Sequence, residues 1–257
     1  MPEGLIEHVA DTAFLIAHCR ALESARPDGL FRDPLAGRLA GDRGKAIAEA
    51  FPTPRMTGWM VAIRTYVIDE LIRDALARGV DTVVNLGAGL DTRPYRLDVA
   101  PALRWLEVDL PEVIAFKEQH LRTEAPRCDL RRVGLDLADL AGRRDLFASL
   151  AASAGRLLIL TEGVVPYLAE EAVGALADDL RGLSGVDSWI VDYVSPESHA
   201  YRQRAGVTEH MKQTPFKFRP ADWFRFFADH GWRIRSMRYL PEEGSRLGRP
   251  APLPWRA

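Results

Sequence analysis

The sequence predicts an α/β protein whose strands form a mostly parallel sheet covered by helices on both faces. Strand-like apolar runs alternate with helical patterns from residue 82 onward, and a β-branched run leads directly into a paired-glycine turn. Acidic residues follow several of the predicted strands. Strands that alternate with helices of roughly ten to fifteen residues form parallel sheets, because each connecting helix must pack on one face of the sheet.

The elements are predicted in chain order from apolar spacing and from turn-forming residues. Helices are expected at residues 12–20, 35–39, 57–78, from 111, 143–152, 169–183 and 220–230. The segment between residues 39 and 54 is expected to be irregular. Strands are expected at residues 82–86, 103–109, 129–135, 156–161, 188–194 and 232–239.

Composition favours one soluble domain and excludes several classes of protein. The chain has 257 residues, of which 47% are hydrophobic, and a formal charge of −2, which argues against a general nucleic-acid binder. Glu3 and Glu7 stand where a secretory signal would be basic, and no run approaches the ~20 apolar residues of a membrane span. Cys19 and Cys128 have no metal-binding or redox spacing. We therefore expect a cytoplasmic protein without a bound metal.

The glycine turn and the strand-end acids predict one binding crevice. Gly87 and Gly89 lack the Cβ atom that would keep a nucleotide-like ligand away from the backbone. In parallel sheets, ligands bind outside the carboxyl ends of the strands. Asp109, about 20 residues past the turn, is the expected partner of a ribose diol, although it could also serve the start of the helix at Pro111. The residues expected to face the crevice are Gly87, Gly89, Glu107, Asp109, Asp136, Leu137, Glu162, Asp192 and Tyr193.

Two cofactors suit a glycine turn followed by a ribose-binding acid. A dinucleotide fingerprint needs a third small residue where Thr92 stands, and Asp91 would repel a pyrophosphate. S-adenosylmethionine carries no phosphate, and its charged sulfur and ammonium suit a crevice rich in acids. These residues favour the methyl donor. A nicotinamide-dependent oxidoreductase and a non-catalytic cofactor-binding scaffold remain the alternatives.

Three motifs in the correct order closely resemble the leucine carboxyl methyltransferase family. They are Val-Asn-Leu-Gly-Ala-Gly-Leu-Asp-Thr-Arg at 84–93, Glu-Val-Asp-Leu-Pro at 107–111 and Leu-Thr-Glu-Gly-Val-Val-Pro-Tyr-Leu at 160–168. Ser-Ala-Arg-Pro-Asp at 24–28 and Arg-Asp-Pro at 32–34 precede them. The chain is most similar to the bacterial, tetracenomycin-type O-methyltransferases of the family. The resemblance implies a Rossmann-like class I methyltransferase sheet, with an N-terminal helical cap or lid.

The resemblance also implies a division of the chain and a role for each matching residue. Residues 1–56 would form the cap, and residues 57–257 the domain that binds S-adenosylmethionine. The implied cofactor-binding residues are Arg64, Gly87, Ala88, Gly89, Glu107, Asp109, Leu110, Asp136, Leu137 and Glu162. Among them, Arg64 would hold the methionyl carboxylate and Glu162 the methionyl ammonium. The Asp136-Leu137 pair would lie beside adenine.

The methyl acceptor is expected to be a carboxylate or a phenol of a small molecule such as a polyketide-like secondary metabolite. A carboxylate is already ionised at neutral pH, whereas a phenol, with a pKa near ~10, would profit from a base. The candidate catalytic residues are Tyr167, His199 and His210, although the sequence favours a surface position for either histidine. Aromatic residues that could wall the acceptor pocket are Phe14, Phe31, Trp59, Tyr201, Phe216 and Phe218. We expect a monomer or a homodimer.

Overall fold

The computed structural model describes residue 6, residues 8–153 and residues 155–252. Glu3 and Glu7, on which part of the cytoplasmic prediction depends, lie outside the described residues. The helices are α1 (Val9–Ala25), α2 (Ala36–Ala50), α3 (Pro54–Ala77), α4 (Arg93–Arg96), α5 (Pro111–Leu121), α6 (Leu140–Ser153), α7 (Glu170–Gly182), α8 (Pro196–Arg204), α9 (Val207–His210), α10 (Trp223–Asp229) and α11 (Leu240–Arg246). The strands are β1 (Thr82–Leu86), β2 (Arg104–Asp109), β3 (Asp129–Gly134), β4 (Leu157–Thr161) and β5 (Val186–Val191), and a 3₁₀ turn spans Val165–Tyr167.

The strands form one sheet in the order β3-β2-β1-β4-β5, and every pairing in it is parallel. In the centre, Val84 of β1 lies opposite Leu106 of β2 on one side and Ile159 of β4 on the other. The chain builds outward from β1 through β2 to β3 and then returns to place β4 on the opposite side of β1. This reversal opens a crevice between the carboxyl ends of β1 and β4.

Helices cover both faces of the sheet, as the alternating pattern predicts. On one face, Ile68 and Ile72 of α3 pack with Trp105 of β2 in a buried cluster. On the other face, Phe147 of α6 and Leu176 of α7 belong to a second buried cluster with the strands. The central strands are therefore buried on both sides, which explains their nearly continuous apolar sequences.

The prediction that residues 40–54 are irregular is wrong, because α2 continues to Ala50. Gly41 has a φ of 52° and kinks the helix, which is why the sequence around it suggests the end of a helix. Packing against α1 sustains the helix beyond it: a Cβ atom at Gly44 would lie 2.6 Å from the carbonyl oxygen of Phe14. Gly41 thus allows the kink, and Gly44, three residues further on, permits the close approach of the two helices.

The strand predicted at residues 232–239 is also wrong, since this segment has no regular structure. Its alternating apolar and basic residues imitate a strand, but Ile234 is 62% exposed. Side chains rather than backbone ladders fasten the segment: Trp232 Nε1 donates to the carbonyl of Ala177, and Arg235 Nη1 lies 2.7 Å from Asp187 of β5. Among the described helices, none is long and apolar enough to span a membrane.

Candidate active site

A cavity of about 2210 Å³ includes the carboxyl ends of the strands, where the sheet topology places the crevice, and continues along the β5 edge to Arg78, Asp187 and Arg235. It is larger than the roughly 300–1,000 Å³ of common ligand pockets because it includes this open edge. We call one region the glycine end, formed by Arg64, Gly87, Gly89, Asp109, Glu162 and Asp192. The other region, the aromatic end, is formed by Tyr167, Arg202 and Phe216.

The turn after β1 has a backbone that requires glycine at both glycine positions of the motif. Gly87 has a φ of 69° and Gly89 a φ of 48°, a region that other residues rarely adopt. A Cβ atom on Gly87 would lie 2.3 Å from Val164 Cγ2, so the turn passes directly against the loop that follows β4. This turn brings bare backbone to the edge of the cavity.

Asp109 lines the cavity at the end of β2 and fastens the glycine turn. Its Oδ2 atom accepts a hydrogen bond from the Gly89 amide at 2.6 Å, and Oδ1 accepts one from the Leu110 amide at 2.7 Å. Burial raises the pKa of the Asp109 carboxyl, although both amides act in the opposite direction. Each carboxylate oxygen can accept a further hydrogen bond, so the group can still receive a diol.

Arg64 of α3 faces two carboxylates that stand at the ends of β4 and β5. Its Nε atom lies 3.0 Å from Glu162 Oε1, and Nη1 lies 3.7 Å from Asp192 Oδ1. Burial disfavours the charge, but these two carboxylates raise the pKa of Arg64. The Nε contact is ionic only: its alignment makes no hydrogen bond, and this buried donor has no acceptor.

Glu162 belongs to a larger set of buried ion pairs centred on Arg93. Arg93 Nη1 contacts Glu162 at 2.8 Å and Asp91 at 3.0 Å, while its Nε contacts Asp69 at 2.7 Å. Burial favours protonation of Glu162, but Arg93 and Arg64 outweigh it and lower the pKa of that carboxyl. Glu162 therefore remains an anion beside the glycine turn.

The ion pairs continue away from the cavity toward the N-terminal helices. Asp69 also binds Arg96 at 2.5 Å, and Arg96 Nε lies 3.8 Å from Asp33. Asp33 in turn accepts a hydrogen bond at 3.0 Å from Arg20 of α1. We call the full series the charge chain; its members are Arg20, Asp33, Arg96, Asp69, Arg93, Asp91, Glu162, Arg64 and Asp192. It joins α1 to the floor of the cavity.

Asp91, Arg93 and Asp192 belong to this site, although sequence reasoning gave none of them a binding role. Asp91 and Arg93 lie inside the glycine motif, where the charge of Asp91 served only as an argument against a pyrophosphate ligand. Asn85 Nδ2 donates to Asp91 Oδ2 at 3.0 Å, which holds the Asp91 carboxylate against the end of β1. The position of Asp192 at a strand end was the available signal.

Glu107, which was predicted to bind the cofactor, does not line the described cavity wall. It is fully buried, with Oε1 2.7 Å from Lys117 Nζ and Oε2 2.8 Å from Arg132 Nε. The structure brings the other predicted residues, Arg64, Gly87, Ala88, Gly89, Asp109, Leu110, Asp136, Leu137 and Glu162, to the cavity wall. Their contact with a cofactor stays a prediction.

Tyr167 lies at the aromatic end, and its ring meets that of Phe216 edge-on at 4.9 Å. Burial raises the pKa of the Tyr167 hydroxyl, although Arg202 acts against this. His199 and His210 are absent from the described cavity wall: His210 packs on Phe51 at 5.2 Å.

The aromatic residues predicted to wall an acceptor pocket divide into two groups. Trp59, Tyr201 and Phe216 line the cavity. Phe14 and Phe31 pack within the N-terminal part of the molecule, and Phe218 is fully buried. Within the described ranges, no group of histidine, cysteine and acidic side chains is arranged to hold a metal.

The glycine end fits S-adenosylmethionine, the cofactor that the sequence resemblance implies. Asp109 retains acceptor capacity for a ribose diol, and Arg64 has a buried donor without an acceptor. Glu162 and Asp192 are carboxylates suited to an ammonium group. Asp91, buried within the turn, would oppose a pyrophosphate. The residues present therefore suit a ligand with positive charge and no phosphate.

A parallel sheet of this order is shared by Rossmann-type folds, and the carboxylates around the glycine turn favour the class I methyltransferase fold among them. The model of the family described as leucine carboxyl methyltransferase matches residues 13–181. The chain belongs to the leucine carboxyl methyltransferase family of S-adenosylmethionine-dependent enzymes. Family membership excludes the nicotinamide-dependent oxidoreductase as an interpretation of the glycine turn.

Relatives cover nearly the whole chain. A protein of Mycobacterium avium, named as an S-adenosyl-L-methionine-dependent methyltransferase, is 32% identical over 96% of this chain and 87% of its own length. A protein of the same description from Streptomyces coelicolor is 34% identical, covering 93% and 88% respectively. The crystal structure of a DUF574 family protein from Streptomyces avermitilis matches with a TM-score of 0.51 and 20% identity, over 84% of this chain and 81% of that one. This last match concerns the fold alone.

Proposed function

We propose that this protein is an O-methyltransferase that transfers a methyl group to a carboxylate or phenolic oxygen of a small molecule. The observation that carries the proposal is the juxtaposition, in one cavity, of the carboxylate-lined glycine end with an aromatic end. Membership of a methyltransferase family supplies the reaction class. The acceptor class comes from the resemblance to the tetracenomycin-type branch and from the aromatic walls.

S-adenosylmethionine, when bound, supplies a methyl group on a positively charged sulfur. The residues of this chain hold and align the two ligands. Asp109 accepts hydrogen bonds from the ribose, the Glu162 and Asp192 carboxylates receive the ammonium, and Arg64 donates to the carboxylate. Such alignment can lower a barrier by about 7–11 kcal/mol, and the burial of these side chains excludes water.

The residues around the aromatic end favour a reaction that needs little help from a base. Because burial raises its pKa, Tyr167 is protonated at neutral pH and can donate a hydrogen bond rather than remove a proton. Burial, together with Arg219 and Arg202, lowers the pKa of His199, which leaves its ring neutral. This histidine would suit a base, but it lies outside the described cavity wall. An acceptor oxygen that ionises on its own therefore fits best.

We further propose a cytoplasmic enzyme of secondary metabolism that acts as a monomer or homodimer, with no nucleic-acid or membrane partner. The slight negative charge of the chain is consistent with this, because nucleic acids and anionic membranes attract basic surfaces. The non-catalytic scaffold is the second candidate. The large cavity with a free aromatic end argues against it, since a scaffold would gain nothing from an open acceptor region.

Thermal unfolding with and without S-adenosylmethionine tests whether the protein binds the methyl donor. Bound donor raises the melting temperature by mass action, and Asp109→Ala should remove most of that increase. Glu118→Ala, an exposed acid on α5, is the matched control and should keep it. Absence of any increase at millimolar donor in the wild type would count against the proposal.

Methyl transfer itself is tested by incubating the protein and labelled donor with panels of carboxylates and phenols. Mass spectrometry should detect acceptors heavier by one CH₂ unit. Donor binding without transfer to any acceptor of a broad panel would favour the scaffold.

A further inference from the structure

Arg202 of α8 stands at the aromatic end without an acidic partner in the described part of the chain. Its guanidinium carbon lies 3.9 Å from the centre of the Phe216 ring, and Nη2 contacts Met211 Sδ at 3.4 Å. These neighbours are an aromatic face and a thioether, neither of which carries a negative charge. The side chain is only partly exposed and lines the cavity.

A second arginine, Arg219, lies near Arg202, where a carboxylate would be expected. Burial lowers the pKa of Arg202, the Tyr167 hydroxyl acts against this, and Arg219 reinforces it. The ring of His199 lies 6.1 Å from the same Phe216 ring and faces both arginines. A guanidinium keeps its proton under all ordinary conditions, so this region retains uncompensated positive charge.

The arginines at the glycine end differ from Arg202, because carboxylates of the protein pair with them. There, Arg64 and Arg93 are each paired with carboxylates at 2.7–3.7 Å. A partly buried charge normally has a partner, because the loss of hydration must be repaid. Since the described chain provides none for Arg202, a ligand is the natural source of the missing anion.

We propose that Arg202 binds an anionic group of the methyl acceptor, such as a carboxylate, that is separate from the oxygen to be methylated. This specificity role rests on the proposed function. Two arguments separate the anchored group from the reacting oxygen. Arg202 lies on α8 against Phe216, whereas Arg64, which is expected to hold the methyl donor, lies at the glycine end against Glu162. In addition, an oxygen neutralised by a guanidinium would be a poorer nucleophile. The acceptor is therefore an acid with a second oxygen nucleophile.

The test compares two ligands that differ in one charged group, 4-hydroxybenzoate and 4-hydroxybenzamide. Calorimetric titration should show that the wild type binds the acid more tightly than the amide. Arg202→Gln should weaken binding of the acid about ten- to a hundredfold, the range of a charge-assisted hydrogen bond, and leave the amide unchanged. Arg202→Lys should restore part of the preference. Arg122→Gln removes an exposed arginine of equal charge and should preserve it.

Three outcomes would overturn the inference: equal binding of acid and amide, no binding of the acid by the wild type, or an unchanged preference in Arg202→Gln. Circular dichroism of each variant verifies the fold. Titration of the same samples with S-adenosylhomocysteine reports on the donor site alone. If that ligand fails to bind, the proposed function fails, whereas the acid preference is still measured independently.

Discussion

The two ends of the cavity solve the problem of buried charge in different ways. At the glycine end, each arginine of the charge chain contacts carboxylates of the same protein. At the aromatic end, Arg202 has an aromatic ring and a sulfur as neighbours. In the first arrangement every arginine is paired with a carboxylate before a ligand arrives, and Arg64 Nε still lacks a hydrogen-bond acceptor. Such a site suits a ligand that is always the same. The second is completed by the ligand, and so it can select among acceptors.

The largest effect should come from breaking the charge chain at Asp69. Asp69→Asn leaves Arg93 and Arg96 buried without the counter-ion that they share. An arginine cannot relieve the cost of a buried charge by losing its proton. We expect the free energy of unfolding to fall by about 3–5 kcal/mol, measured by urea denaturation. Asp74→Asn, an exposed change on the same helix, should leave stability unchanged. Similar results for both variants would show that the chain contributes nothing to stability.

Glu107 provides a comparison between a buried ion pair outside the cavity and those within it. Glu107→Gln leaves Lys117 completely buried beside an uncharged amide. Stability should fall by about 3–5 kcal/mol, while the affinity for S-adenosylhomocysteine, measured by calorimetry, should not change. A selective loss of affinity with normal stability would instead restore the sequence-based prediction that Glu107 binds the cofactor.

The pH dependence of donor binding should follow the acids whose pKa values burial raises. Asp109 and Asp192 both have pKa values above the ordinary 3.8. Their protonated forms are favoured in the folded, ligand-free protein, so their contribution to stability is largest below 3.8 and falls as pH rises through the raised pKa. Ligand binding needs the ionised forms.

Affinity for S-adenosylhomocysteine should therefore decline on mild acidification, at a pH where an ordinary aspartate would still be ionised. Asp91 and Glu162, whose pKa values are lowered, should not contribute there. Titrations across the acidic range, repeated with Asp192→Asn, would show a shallower decline in the variant. A constant affinity down to the pH of unfolding would contradict this assignment.

The smallest effect on stability should come from Arg202→Gln. No ion pair is lost, and the contact with Phe216 is worth only about 0.5–1 kcal/mol. Relief of the repulsion from Arg219 offsets part of that. We expect a change below about 1 kcal/mol in urea denaturation. A loss as large as that of Asp69→Asn would mean that Arg202 has a structural role instead.

Much of the site could be predicted from the sequence because parallel sheets collect their strand ends at one edge. Gly87, Asp109 and Glu162 follow three strands, and the topology alone brings them to one cavity. Arg64 required the family resemblance, since an arginine on an amphipathic helix is usually solvated. The pattern of charges predicted the acids but could not specify which arginine each one meets.

The failed predictions share a physical cause. A local sequence pattern does not show how far a residue lies from the end of its strand, nor which neighbouring elements pack against it. Glu107 and Asp109 lie on the same side of β2. Glu107, however, comes two residues before the end of the strand and is paired there with Lys117 of α5. Only the last residue of the strand reaches the cavity. Likewise, residues 232–239 alternate as a strand does, but the carboxylate of Asp187 holds them by side chains.

The extension of the charge chain into α1 restricts which chimeric enzymes can be made from this chain. Asp33 neutralises Arg96, while Arg20 both bonds Asp33 and donates to the carbonyl of Leu90, next to the glycine turn. The N-terminal helices are thus not an interchangeable module. A chimera that imports these helices from a relative would retain a working core only if the acid at 33 and the base at 20 travelled with them.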